Sequence, residues 1–291
     1  MRSQESGGGV RYAPSPSGRL HLGNLRTAWV AKHLAERLAV PFVVRVEDID
    51  TPRVLAGAQA LQLEDMAAVG AKADTLEVQS AFAERHRELF DAAVSTGAIY
   101  PCICSRSQVK AAIANLASAP HASVPVYDGK CRTATSVGPD TQVGWRWRAE
   151  DPSGVEDILI ARTMGPRDDF QPAYHWACAI DDWDGKFSWI VRAWDLASAR
   201  APQRAIQLWL ASQEKSEVAL PRVFHTTTIV DAAGKRLEKR SQGVTLPELI
   251  TAGWTVPQIV AKFLASFETA LPAEGDGGEA LPELRVPLLL G

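Results

Sequence analysis

The chain has 291 residues, 46% of them hydrophobic and 22% charged, the balance of a globular protein with one large or two modest domains. Its 31 Lys+Arg against 34 Asp+Glu leave a net charge of −3, which does not advertise a nucleic-acid binder and leaves local patches to decide contact with phosphates. No apolar run approaches about 18 residues, so no membrane-spanning helix is expected.

The opening "MRSQESGGG" is polar and lacks an apolar signal core, so residues 1–9 read as a flexible tail and the protein as cytoplasmic. The four cysteines are then expected to be reduced. "GNLRTAWVAKHLAERLA" reads as a helix from the spacing of its apolar residues, and "PFVVRVEDID" as a buried strand that ends in acids. "LAGAQALQLEDMAAVGA" and "AFAERHRELFDAAVSTGA" are helices, each closed by a glycine. This alternation over residues 10–100 predicts an α/β fold with a parallel, doubly wound sheet. Residues 101–150 break the rhythm with loop-rich sequence and three of the four cysteines. Strands return around "VEDILIAR" and through "AYHWACAIDDWDGKFSWIVRAWDL", with a hairpin turn expected at Asp184 and Gly185 and Cys178 inside an apolar strand. "APQRAIQLWLASQE" is a helix, and "RVFHTTTIVDAAGKRLEKRSQG" a strand, a turn and a basic loop, which closes a second half at 151–242. Two short helices, roughly 245–254 and 256–269, and a weakly ordered tail fill 243–291.

The stretch "RYAPSPSGRLHLGNLRTAW" crowds turn-formers where a strand hands over to a helix. Free backbone N–H groups at a helix N-terminus attract anions, and Gly18 and Gly23 permit close backbone approach. His21 lies in the turn, where its imidazole could donate to a phosphate oxygen as charge develops.

"RYAPSPSGRLHLGNLRTA" resembles the first signature of the class I aminoacyl-tRNA synthetases in the form used by the glutamate branch, and "RVEDID" resembles that branch's Arg-x-Glu-Asp-x-Asp. "GKRLEKRS" is similar to the lysine signature loop, with Lys239 on the lysine expected to grip the ATP phosphates. Arg236 replaces that loop's first lysine, and Glu238 its usual serine. The resemblance implies a Rossmann-like catalytic domain in which His21, Gly23, Asn24 and Lys239 face ATP. A carboxylate-binding arginine and an ammonium-binding acid would together hold an amino acid, with Arg11 and Glu47 as candidates. Ala13, Ser15, Tyr174 and Arg192 fall on family positions that contact glutamate.

"YPCICSR" places Cys102 and Cys104 one residue apart, and Cys131 follows in "VYDGKC". Converging thiolates suggest a structural zinc site, for which His121 is the fourth ligand that the residues themselves nominate. Cys-x-Cys followed by Tyr-x-x-x-Cys instead resembles the metal pattern of the short glutamyl-queuosine tRNA(Asp) synthetases, which implies Tyr127 as the ligand.

The chain ends about fifty residues after the lysine loop, so no anticodon-binding domain is expected, as in that short family. The resemblance implies activation of L-glutamate with ATP and Mg²⁺, then transfer to queuosine at the wobble position of tRNA(Asp). A monomer is expected. Arg132, Arg146, Arg148, Lys235, Arg236 and Arg240 could supply a basic rim for RNA. Rival readings are a minimal synthetase charging a tRNA 3′ end, a tRNA-independent nucleotidyltransferase and a decayed RNA-binding paralogue.

Overall fold

A five-stranded and a four-stranded sheet organise the chain, and a two-stranded one is the third among the described residues. The computed structural model describes residues 8–105, 107–108, 127, 129–133, 137–138, 140–149, 157–165, 168–217, 219–226, 229–230, 244–268 and 284–285. Two units divide it, one of Met1–Ser80, Asp182–Arg200 and Ala219–Gly291, the other of Ala81–Asp181 and Ala201–Val218.

The first unit holds a parallel sheet of β1 (Val10–Tyr12), β2 (Phe42–Val46), β3 (Thr75–Val78), β8 (Trp189–Ala193) and β9 (Arg222–Thr226), in the order β3-β2-β1-β8-β9. The chain therefore runs outward from β1 in one direction through β2 and β3, and in the other through β8 and β9. Such a reversal at β1 opens a crevice at the carboxyl ends of the strands, where open α/β sheets bind ligands. Helix α1 (Leu22–Leu38) covers one face. Its Leu25, Ala28, Trp29 and Ala31 share a core with Val10, Tyr12, Val44, Val191 and Phe224. Truncating a core aromatic such as Trp29, 1% exposed, would cost about 3–5 kcal/mol. Helix α2 (Ala58–Ala68), the short helices α6 (Leu246–Thr251) and α7 (Val256–Glu268), and the two-residue strands β10 (Ile229–Val230) and β11 (Leu284–Arg285) also belong to this unit.

The second unit holds an antiparallel sheet, β4 (Ile99–Cys102), β5 (Gln142–Trp147), β6 (Leu159–Met164) and β7 (Asp168–Pro172), in sequential order. Helices α3 (Ala83–Thr96), α4 (Tyr174–Asp184, its last residues from Asp182 falling in the first unit) and α5 (Arg200–Glu214) accompany it. Trp147, Trp176 and Trp209 pack within 6.5 Å of one another, and Phe90 meets Trp145 edge-on at 5.2 Å. His86 and Asp181, both buried, pair at 2.8 Å.

Two expectations from the sequence are corrected. "YHWACAIDDWD" is a helix, α4, and Cys178 is buried within it. No hairpin forms at Asp184 and Gly185: a turn there delivers the chain to β8, which pairs in parallel with β1. Residues 176–182 are all buried, so α4 lacks the polar stripe that would betray a helical period.

Candidate active site

Strand register sets the site. Arg11 pairs with Val43 and Ile190, and Arg192 pairs with His225. Side chains two residues apart on a strand share a face, so Arg11, Arg45, Arg192 and His225 all lie on one face, opposite α1. All four are at most 4% exposed. Buried parallel strands ordinarily read as apolar on both faces, and this face departs from the rule at its carboxyl end.

Asp182 answers two of these arginines. Arg11 donates Nε–H to Asp182 Oδ1 at 2.9 Å and a second hydrogen bond from Nη2 to Oδ2. Arg45 donates Nη1–H to Asp182 Oδ1 at 2.7 Å and Nη2–H to Glu47 Oε1 at 3.3 Å. Burial pushes the Asp182 carboxyl up, but the two guanidiniums outweigh it and hold it below the ordinary carboxylate range. Asp182 is not among the site candidates that the sequence offers. Its signal was a pair of acids inside an apolar run, because buried acids need cationic partners.

Arg192 Nε donates to His225 Nε2 at 3.1 Å. Because Nε–H can only donate, His225 Nε2 must be unprotonated and its proton must sit on Nδ1. Burial first, then the charges of Arg192 and Arg200, press the His225 pKa down to about 4. The ring of Trp194, 47% exposed, meets His225 edge-on at 5.6 Å.

The strand-to-helix turn expected to cradle a phosphate lies on the other side of β1. His21 is the N-cap of α1, and the Asn24 backbone N–H donates to its Nδ1 at 3.3 Å. The imidazole proton therefore sits on Nε2. A Cβ on Gly23 would lie 3.0 Å from His21 Cε1 and 3.1 Å from Nδ1, so glycine makes room for that ring. Gly18 has φ +130, open only to glycine at low cost. Gln62 on α2 clamps the loop by donating to Ser15 O at 3.0 Å and Gly18 O at 2.6 Å, and Arg19 pairs with Asp65. Glu47 N donates to Pro14 O, and Asp48 accepts from Ser80 N and Oγ. Within "RVEDID", then, Arg45 and Glu47 face the arginine cluster while Asp48 ties the strand end to residue 80.

Lys239 and His121 lie outside the described residues, as do Lys235, Arg236, Glu238 and Arg240. The flanks of the lysine loop are described. Thr226 Oγ1 lies 2.6 Å from Thr27 Oγ1, while Leu22 N donates to Val244 O and His21 bridges Thr245. Both flanks of the segment carrying Lys239 thus attach to the first two turns of α1, beside His21. Ala13 is half-buried and Ser15 exposed in the clamped loop. Tyr174, in the second unit, opens α4 with its ring 5.3 Å from that of His175.

In the second unit the Sγ atoms of Cys102, Cys104 and Cys131 all lie within 4.8 Å of one another. The Tyr127 hydroxyl is 3.3 Å from Cys102 Sγ and 3.8 Å from Cys104 Sγ. Zinc–sulfur bonds of about 2.3 Å in a tetrahedron place sulfurs roughly 3.8 Å apart, so this donor set suits such an ion. Burial raises the Cys102 thiol, but the Tyr127 hydroxyl and Arg146 bring it below its ordinary value; burial and the Cys131 thiol push Cys104 up to about 11. Of the arginines expected on a basic rim, the three among the described residues are engaged within this unit: Arg132 on Asp157, Arg146 over the Tyr127 ring at 3.8 Å, and Arg148 on the Gly97 and Arg132 carbonyls.

Comparison with known proteins decides the family. Residues 9–141 match the family of class I tRNA synthetases (E and Q), catalytic domain. A glutamyl-Q tRNA(Asp) synthetase from Nocardia farcinica is 34% identical over 273 residues, covering 88% of this chain and 83% of the relative. The chain belongs to the glutamyl-Q tRNA(Asp) synthetase family. A second member, from Deinococcus radiodurans, is 34% identical over 287 residues, 94% of this chain and 91% of its own. The fold is also that of a glutamate tRNA ligase from Elizabethkingia meningosepticum, with TM-score 0.62 and 21% identity over 80% of this chain. This chain spans 52% of that structure. For a glutamyl-Q tRNA(Asp) synthetase family member, a sheet edge with a capped helix start on one face and clustered arginines on the other is the expected ligand crevice. No helix among the described residues is long and apolar enough to cross a membrane.

Proposed function

We propose that the chain activates L-glutamate with ATP and transfers the glutamyl group to queuosine at the wobble position of tRNA(Asp). One observation carries the reading: the register gathers Arg11, Arg45, Arg192 and the adjoining Glu47 at the carboxyl edge of the parallel sheet, in a chain a third identical to enzymes of that name. Arginine forks suit the carboxylates of an acidic amino acid, and Glu47 suits its ammonium group. Ala13 and Ser15 line the amino-acid side of the clamped loop. Tyr174 is assigned to glutamate on the sequence resemblance alone.

In the first step an oxygen of the glutamate α-carboxylate attacks the α-phosphorus of ATP, and pyrophosphate leaves. His21 donates Nε2–H to the phosphate oxygens as charge builds, while the Gly23 backbone N–H and the Asn24 side-chain amide at the start of α1 share it. Lys239 joins them, a role supported by the attachment of its flanking chain to α1. In the second step a hydroxyl of the queuosine ring attacks the glutamyl carbonyl and AMP leaves. No protein nucleophile is required, since positioning supplies the rate. Mg²⁺ enters with ATP. Cys102, Cys104, Tyr127 and Cys131 would hold a structural Zn²⁺, which would tie the end of β4 to Tyr127 and Cys131. The protein is taken to work as a cytoplasmic monomer.

The test is glutamate-dependent ATP–pyrophosphate exchange without tRNA, followed by glutamate transfer to tRNA(Asp) with and without queuosine. Exchange with glutamate, and transfer only to the modified tRNA, are expected. Absence of exchange would overturn the reading, and transfer to unmodified tRNA(Glu) would replace its second half.

A further inference from the structure

We propose that His225 is the positioning residue that fixes the guanidinium of Arg192 for the substrate carboxylate, an inference that rests on the glutamate reading above. Strand β9 reads Arg-Val-Phe-His-Thr, and its register puts His225 at an inward position beside Arg192 of β8. Val223, two residues earlier on the same face, is apolar, as a strand buried on both sides requires. His225 breaks that pattern at 3% exposure, opposite an arginine at 4%. Two well-packed apolar residues would hold these strands together at least as well, because desolvating an arginine is costly. A polar pair at this position therefore needs a reason other than stability.

The geometry supplies one. A guanidinium is planar, so binding its Nε–H sets both the plane and the direction in which its two Nη groups point. The 3.1 Å bond to His225 Nε2 holds Nε against β9 and so constrains the plane of the whole group. An Nη pair is the fork that accepts a carboxylate in bidentate fashion. Asp182 performs the comparable service for Arg11 and Arg45, but it is an anion and neutralises as it orients. His225 is neutral, so it orients Arg192 without itself cancelling the positive charge. Trp194 stands edge-on against the imidazole and restricts the ring's rotation.

Three variants of the full-length chain test this, through exchange rates measured against glutamate and ATP separately. H225F keeps a ring of similar size for Trp194 but removes the acceptor. The KM for glutamate should rise about tenfold or more, with kcat and the KM for ATP within about twofold, and discrimination against glutamine should fall. H225Q, whose amide oxygen can accept from Nε, should recover most of the loss. R192K is the reference and should raise the KM for glutamate further. An H225F enzyme that binds glutamate as wild type does, beside an R192K enzyme that does not, overturns the role of His225 alone. An R192K enzyme with wild-type affinity overturns the glutamate assignment of Arg192 and this role with it. A loss in H225F that falls equally on glutamate and ATP marks a structural role and also overturns it. Should H225F not fold, H225N makes the comparison with H225Q, because its shorter amide falls short of Arg192.

Discussion

Asp182 and Arg11, 171 residues apart in sequence, meet through two parallel guanidinium–carboxylate hydrogen bonds, and one of the same carboxylate oxygens also accepts from Arg45. One buried acid thus compensates two buried cations on neighbouring strands, while Glu47 takes a further Arg45 donor. Removing it leaves both arginines without their shared counter-charge. Asp182→Ala should lower the unfolding free energy by about 3–5 kcal/mol, and Asp182→Asn by less, because the amide oxygen still accepts. Urea denaturation of the two variants measures this. Equal stability to wild type would mean that the cluster is not the electrostatic unit described.

Two groups give the fold opposite edges of an acid-sensitive window. His225 titrates near 4 in the folded chain and near 6.5 when unfolded. The unfolded chain therefore binds a proton first as pH falls, and stability drops between about pH 6.5 and 4, then levels off. The span corresponds to on the order of 3 kcal/mol. Asp182 acts lower: its depressed pKa adds stability above about pH 4 that is lost as pH falls through its native value. Urea midpoints followed from pH 7 to 4 should decline for wild type and stay nearly flat for H225F. A parallel decline in both would assign the slope to other groups.

His21 has two jobs that substitution can separate. Its Nδ1 caps α1, and its Nε2–H is the proposed phosphate donor. Asparagine is a good N-cap with no counterpart to Nε2. His21→Asn should keep wild-type stability within about 0.5 kcal/mol, whereas His21→Ala should lose about 1 kcal/mol. Both should slow ATP–pyrophosphate exchange by on the order of 10²-fold. Gly23→Ala, whose Cβ would press on the same ring, should slow exchange while leaving that ring's chemistry in place. Exchange at the wild-type rate in His21→Asn would reduce His21 to a cap.

The parallel sheet was legible because its strands and helices alternate with clear periods, as in "PFVVRVEDID" and the helix that precedes it. The tight turn into α1 was legible because glycine, proline and histidine at a strand-to-helix junction mark such a turn. Helix α4 was not, since a run buried from 176 to 182 carries no period to separate helix from strand. With α4 misread, Asp182 had no position and could not be matched to Arg11. His225 was hidden for a related reason. A histidine on a strand is ordinary until the register places it beside Arg192, and register depends on the whole sheet.

Tyr127 offers a sharp test of the cysteine cluster. Its hydroxyl sits 3.3 Å from Cys102 Sγ and accepts from the Cys131 backbone N–H at 3.1 Å, and its ring lies 3.8 Å below the Arg146 guanidinium. If the phenol oxygen is the fourth donor, a phenylalanine keeps the ring and the stacking but leaves three thiolates and an open position. Tyr127→Phe should still bind zinc, but about 10–100-fold more weakly in competition with a chromogenic chelator. Cys131→Ser, which replaces a soft thiolate, should lose more. Stripping the metal should lower the thermal midpoint of wild type more than that of either variant, because binding free energy is folding free energy at such a site. Purified wild-type protein without zinc, or a Tyr127→Phe protein with unchanged affinity, would remove the tyrosine from the ligand set.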